Sequence, residues 1–189
     1  QFTISVALIF GALVIWRELD FIQNQPLGFN KNQQIVTPLQ SSKAAENYLP
    51  LKNEMTQHPE VVSVTSGSTY PGIPSVEDLL FYAEGKSVNE AVDIHHATVE
   101  NNFIETLGFD LLYGRAFSDQ FKSDSSGIIL NEVAVRQLGY EAKTAVGKKI
   151  YYEWRNVRYT MEIVGVVKDF NFQSLHNSIT PFAFVTSLG

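Results

Sequence analysis

Four histidines and a scatter of serines and carboxylates are the residues that could do chemistry in this chain, which has no cysteine. His95 and His96 are neighbours in a stretch patterned as a strand, so their rings point to opposite faces and do not easily share one ion. Asp93 and His95 share a face and form the best local pair. Two donors fall short of the three or four that a metal site needs, so these read as ordinary surface or partly buried histidines. Gly147-Lys148-Lys149 has the ending of a phosphate loop. That motif needs glycine at 142 and Ser or Thr at 149, where the chain carries Ala142 and Lys149. Ser63, Ser66 and Ser68 surround Gly67 without forming a nucleophile elbow, and read as loop or strand-edge serines. Asp119, Asp124, Glu132, Glu153 and Asp169 are dispersed and suggest a solvated surface. Phe109, Phe117, Phe121, Phe170 and Phe172 read as core or lobe-packing residues rather than a stacking platform. No catalytic, cofactor-binding or metal residue is therefore assigned. No ATP hydrolysis, enzymatic activity or cofactor is expected of the chain itself.

The elements that must hold these residues belong to a folded protein. A hydrophobic share of 44% against 18% charged residues suits a packed core rather than disorder. At 189 residues, roughly one or two domains are expected. The net charge of -6 argues against a nucleic-acid binder, which would carry a basic stripe, and against wide adhesion to anionic lipid. Without cysteine there is no disulfide framework or thiolate zinc site. Beginning at Gln1, the sequence reads as a piece of a longer protein.

Phe2 to Trp16 is uncharged and almost wholly apolar. As a helix it would be about 22 Å long, a little short of the roughly 30 Å hydrocarbon core. The simplest reading is the outer part of a transmembrane helix. A signal core, a buried helix and an interfacial segment are the alternatives. A signal is disfavoured because Val14, Ile15 and Trp16 are large where a cleavage site needs small residues. Trp16 sits where an aromatic marks the membrane boundary, and Arg17, Glu18 and Asp20 form no basic cluster, so this flank looks external. Leu19 and Ile22 continue the stripe as a stalk, with residues 1–24 forming the membrane helix and stalk. Pro26 and Gly28 end it.

Beyond residue 31 strands and short helices alternate. Ile35–Leu39 and Val61–Val64 read as strands. Between them Ser41 or Ser42 caps a helix with Tyr48, Leu51 and Met55 on one face; Pro50 either kinks it or marks a later start. Pro71-Gly72 signals a turn. Leu79–Tyr82 and Ala91–Val99 are strands. Asn102 and Glu105 resemble a capping box for a helix closed by Gly108. Phe109–Leu112 is a strand and Phe121–Gly127 a polar surface loop. Ile128–Leu130 leads to a helix capped by Asn131, with Ala134 and Leu138 inward and Gly139 at its end. Ile150–Trp154 and Tyr159–Val167 form a hairpin around Arg155-Asn156. The second strand is apolar on both faces, with Val164 and Val166 on one and Ile163 and Val167 on the other, and should be central. Phe182–Val185 is the last strand. The order predicts an α+β fold, two-lobed, with no internal repeat.

Five stretches carry a family resemblance: Leu27–Gln33 (LGFNKNQ), Asn101–Ser118, Ile128–Gly139, Ala145–Ile150 and Glu162–Phe184. In order and spacing they resemble the periplasmic core domain of MacB/FtsX-like ABC transporter permeases, in the form common in Bacteroidetes. The resemblance implies a domain over residues 31–189 with a porter-like α/β lobe and a smaller inserted lobe. It implies a place between the first and second membrane helices of a bacterial inner-membrane permease, facing the periplasm. The partners it implies are a separate ABC ATPase subunit on the cytoplasmic side and a second permease copy; a periplasmic or outer-membrane protein is a further candidate. A membrane-tethered sensor or adhesion domain without a transporter is the alternative reading.

Overall fold

A computed structural model describes residues 2–73, 77–173 and 177–186. Helix α1 spans Phe2–Asn24. It is longer than the uncharged run alone suggests, because Arg17, Glu18 and Asp20 do not interrupt its backbone. At ~1.5 Å per residue it is about 34 Å long. The 21-residue part Phe2–Ile22 is long and apolar enough to cross a membrane, and its apolar surface is not buried in the fold. A core helix would hide this surface, so the protein itself does not explain it.

Residues 31–66 run outside the sheet. Neither predicted strand forms: Ile35–Leu39 and Val61–Val64 are irregular, and Ile35 and Val62 are almost fully exposed. A strand exists only when its backbone groups find a partner edge, and among the described residues the one isolated bridge nearby, Gly67 to Val99, lies beyond both segments. Between them lie α2 (Ser42–Glu46) and α3 (Tyr48–Met55). The Ser41 side chain accepts from Ala44 N at 3.2 Å as the cap, and Pro50 sits in the first turn of α3, where its missing N–H costs little.

The sheet has seven strands: β1 (Asp78–Ala83), β2 (Val92–Thr98), β3 (Leu111–Gly114), β4 (Gly127–Asn131), β5 (Lys149–Trp154), β6 (Val157–Val167) and β7 (Phe182–Val185). Their order is β3-β6-β4-β7-β2-β1-β5, and β5 returns to pair with β6. The long β6 makes this possible: residues 157–162 pair with β5, and its later part pairs with β4 and β3. Arg155 and Asn156 turn the β5–β6 hairpin with φ of 51° and 62°, the left-handed pair that a two-residue hairpin requires.

Three helices flank the strands: α4 (Phe103–Leu107), α5 (Glu132–Gln137) and α6 (Ala142–Ala145). One core face joins Ile94, Ile128, Leu130, Ile163 and Val166 to Ala134 and Val135 of α5 and to Leu138 at its C-terminal cap. The other joins Ile129, Val164 and Val167 to α4 and a cluster of phenylalanines. The fold is α+β, and the second half of β6 is buried on both sides. Its faces are not those of simple alternation: Ile163 and Val166 share one side, Val164 and Val167 the other. Ile128 pairs with Ile163 but Ile129 pairs with Gly165, so Val164 is an extra residue, a bulge that shifts the phase of all that follows.

Other expectations need correction. β3 begins at Leu111, and Phe109 is core instead. Asn102 does not cap α4; its amide is drawn away to donate to Val64 O at 3.0 Å. The Phe121–Gly127 segment contains a 3₁₀ turn, Lys122–Ser126, and buries Asp124.

Candidate functional site

Sequence reasoning assigned no catalytic, cofactor or metal residue. Among the described residues no three His, Asp or Glu side chains converge as a metal site would need. What the structure does bring together is the place where the apolar helix joins the sheet.

The chain leaves α1 through Pro26 and runs Leu27-Gly28-Phe29-Asn30 against the end of α4 and the segment that follows β6. Asn171 N donates to Leu27 O and Asn30 N donates to Leu107 O, both at 2.8 Å. Gly28 has φ of +86° and lies flat on Phe170; a Cβ there would stand 2.6 Å from Phe170 Cβ and 3.0 Å from Asp169 O. Gly108, at φ of +67°, ends α4 and faces Asn30, leaving a would-be Cβ 3.2 Å from Asn30 Cβ. Glycine is needed at both positions, for the left-handed backbone and for the close approach. Phe29 meets Phe109 at 5.8 Å between ring centroids, and Phe109 meets Phe170 at 4.9 Å edge-on. These rings continue into Phe172, Phe182 and Phe184. Offset and edge contacts of this kind favour a fixed geometry.

Beneath this junction lies a polar frame. Asp169 follows the last residues of β6. Its carboxylate accepts from Val133 N at 2.9 Å and from the Arg136 guanidinium at 3.1 Å, while its own N–H donates to Glu132 Oε2 at 3.1 Å. The negative group thus sits on the first turn of α5, where the helix dipole favours it. Asn131, wholly buried, accepts from Ala134 N and Phe182 N through one oxygen and donates to Thr180 O at 2.9 Å. It ties the end of β4, the start of α5 and the start of β7 with one side chain. The cap was legible from sequence; the three-way tie was not. Glu132 and Asp169, read as solvated carboxylates, belong to this frame.

Elsewhere Asp124 corrects the same reading. It is buried and forms two bonds to Arg115 at 2.6 and 2.7 Å. Arg115 and the Ser118 N–H hold its carboxyl below the usual range despite burial. Phe121, expected in the core, is exposed and covers the Arg115 guanidinium at 3.9 Å. Asp119 accepts from the Asn101 amide at 2.5 Å, and Glu153 accepts from the Tyr82 hydroxyl at 3.1 Å. His96 is buried on β2 with Glu77 at 3.6 Å, and burial lowers its affinity for a proton. Ser63 meets Thr106 at 2.8 Å and the Ser68 hydroxyl accepts from Thr98 N; both are clips between loops.

Among the described residues no nucleophile, base and acid stand in catalytic relation at the junction. Its backbone bonds, glycine contacts and stacked rings can hold a geometry and pass a displacement. Four of the five stretches that carry the family resemblance supply its residues. The fifth, Ala145–Ile150, braces the middle of β6, where Gly147 N donates to Ile163 O and Ile163 N to Lys148 O.

A family model described as the MacB-like periplasmic core domain matches residues 3–188. No curated protein matches the chain. Among solved structures, it resembles the periplasmic region of MacB from Actinobacillus actinomycetemcomitans, at 12% identity and a TM-score of 0.48 over 72% of this chain and 53% of that one. It also resembles the extracellular domain of the noncanonic ABC-type transporter YknZ from Gram-positive bacteria, at 16% identity and a TM-score of 0.47 over 70% and 58%. The chain thus spans a little over half the length of these structures.

Proposed function

The chain belongs to the MacB-like periplasmic core domain family of ABC transporter permeases, and from that premise we propose that it is a mechanical relay. In this reading α1 crosses the inner membrane and the sheet stands in the periplasm. ATP is bound and hydrolysed by a separate cytoplasmic ABC ATPase, and two permease copies work together. A tilt or shift of α1 is passed to the periplasmic domain to drive export or other mechanical work. The division into two lobes is part of the same proposal, with the arm 31–66 belonging to one and most of the sheet to the other.

The observation that carries the reading is the junction. An apolar helix with no burial of its own ends in a segment locked to the end of α4 and to the segment after β6 by paired backbone bonds and by a glycine with no room for a side chain. A simple tether needs no such fit. A motion of the helix can bias the periplasmic state only if the joint transmits it.

The test is biochemical. The whole membrane protein, purified gently from its native membrane, should carry a stoichiometric ABC ATPase subunit. Spin labels placed at Gln33 and Asn156 should change their separation when a non-hydrolysable ATP analogue is added. Intact protein that copurifies with no ATPase would instead fit a tethered sensor.

A further inference from the structure

Helix α3 is fastened to the rest of the fold chiefly at one carboxylate. Neither α2 nor α3 buries a residue, and Leu49 and Leu51 lie open to solvent. Apolar packing therefore does not hold this arm in place. The charge-assisted hydrogen bonds that cross from α3 converge instead on Glu100, two residues beyond β2, and the Tyr48 hydroxyl also meets the Ser66 side chain. The Tyr48 hydroxyl donates to Glu100 Oε2 at 2.5 Å. Lys52 Nζ donates to both carboxylate oxygens, at 3.0 and 3.1 Å. Tyr48 and Lys52 are four residues apart, so one face of the helix presents both, and Lys52 also lies 5.9 Å above the Tyr48 ring. Burial and the neighbouring Glu100 push the Tyr48 hydroxyl up to about 12, so it keeps its proton and remains a donor at neutral pH. The chain that follows α3 is clipped separately, by Ser63 to Thr106, the Asn102 amide to Val64 O, Glu100 N to Ser66 O and Ser68 N to Thr98 O.

We propose that Glu100 is a latch: the α2–α3 arm is a distinct unit that swings from the sheet as a body when the carboxylate releases Tyr48 and Lys52. The sheet, whose two cores lie elsewhere, stays folded when the arm opens. Low-stability units of this kind open independently of the global fold when few buried contacts tie them down. A charge-assisted contact centred on one carboxylate gives the arm two discrete arrangements, one latched and one free.

The test uses the full chain in detergent micelles and reads amide hydrogen exchange. Glu100→Ala should speed exchange of the α3 amides from Leu51 to Thr56 by about tenfold, a moderate effect for half-exposed charged bonds. The β4 amides from Ile128 to Leu130 should be unchanged. The charge swap that combines Lys52→Glu with Glu100→Lys should return part of the α3 protection. Unaltered α3 exchange in Glu100→Ala overturns the latch. So does equal acceleration in β4, which would make Glu100 a support of the whole fold, and so does a swap no better than the single change.

Discussion

Gly28 and Phe170 meet backbone to ring stem, with 2.6 Å between Phe170 Cβ and the place where a Gly28 side chain would begin. Gly28→Ala therefore meets two obstacles at once, a left-handed backbone and a steric clash, which together cost about 1–3 kcal/mol. The segment 27–30 can escape by leaving this contact, because it adds nothing to the two sheet cores apart from Phe29. The expected result is a loosened joint on a folded sheet. Exchange at the Asn30 and Asn171 amides should accelerate roughly tenfold while the β4 amides hold. Equal protection in variant and parent would mean that the contact is not what closes the joint.

Val166 is fully buried on the α5 side of β6, between β3 and β4. Val166→Asp would place a charge there with no partner. The cost should be several kcal/mol, enough to threaten a domain of ordinary stability. Val164→Asp is a sharper probe of the bulge, since Val164 faces the phenylalanine cluster rather than α5. Rescue of a Val166 cavity variant by enlarging Ala134 should succeed, and the same change should not help at Val164. Thermal melts of the single and double variants decide it.

Much of the strand content was legible because β1, β2, β4, β5 and β7 carry apolar runs between clear turn signals. The cap at Asn131 and the left-handed ends at Gly108 and Gly139 were legible because they are local. Three things were not. The bulge at Val164 depends on the register with β4, which no property of the β6 sequence announces. Ile35–Leu39 and Val61–Val64 have strand composition, but strand formation depends on a partner edge. Asp124 and Asp169 look like solvent carboxylates because their partners, Arg115 and the first turn of α5, are brought in by the fold. The junction itself was visible only as a set of shared stretches; that Leu27–Asn30, Leu107–Phe109 and Asp169–Asn171 meet follows from topology.

His96 and Asp124 are two groups whose titration the fold shifts. Burial lowers the proton affinity of His96, and its neighbours Glu77 and Asp78 oppose that effect while His95 adds to it. Its folded-state pKa lies below the ordinary value of 6.5, so the fold prefers the neutral ring. That contribution is complete above pH 6.5 and is lost as pH falls through the folded value. Asp124 has a folded pKa below its ordinary 3.8, so its contribution is lost only at still lower pH. Melting temperature at fixed ionic strength should thus fall as pH drops below 6.5 through His96, and again below 3.8 through Asp124. His96→Gln should flatten the first step and leave the second. A first step that survives the substitution belongs to another group.

The relay itself is open to a direct test at the end of α1. Asn24 is the last residue of the helix, where its amide donates to Asp20 at 2.9 Å, and the locked segment begins three residues later. Inserting Gly-Gly-Ser between Asn24 and Gln25 lengthens an exposed connection and adds only loop entropy, a fraction of a kcal/mol. The sheet should melt as before, and the bonds at Leu27 and Asn30 should persist, because both lie beyond the insertion. What changes is stiffness: a helix that moves behind a flexible joint no longer biases one periplasmic arrangement over another. In the reconstituted complex with its ATPase, hydrolysis should continue while transport per ATP falls several-fold. Combining the insertion with Gly28→Ala should add little, since both act on the same mechanical link. Full coupling with a correctly inserted, folded protein would reduce α1 to a tether and place the transmission in another part of the permease.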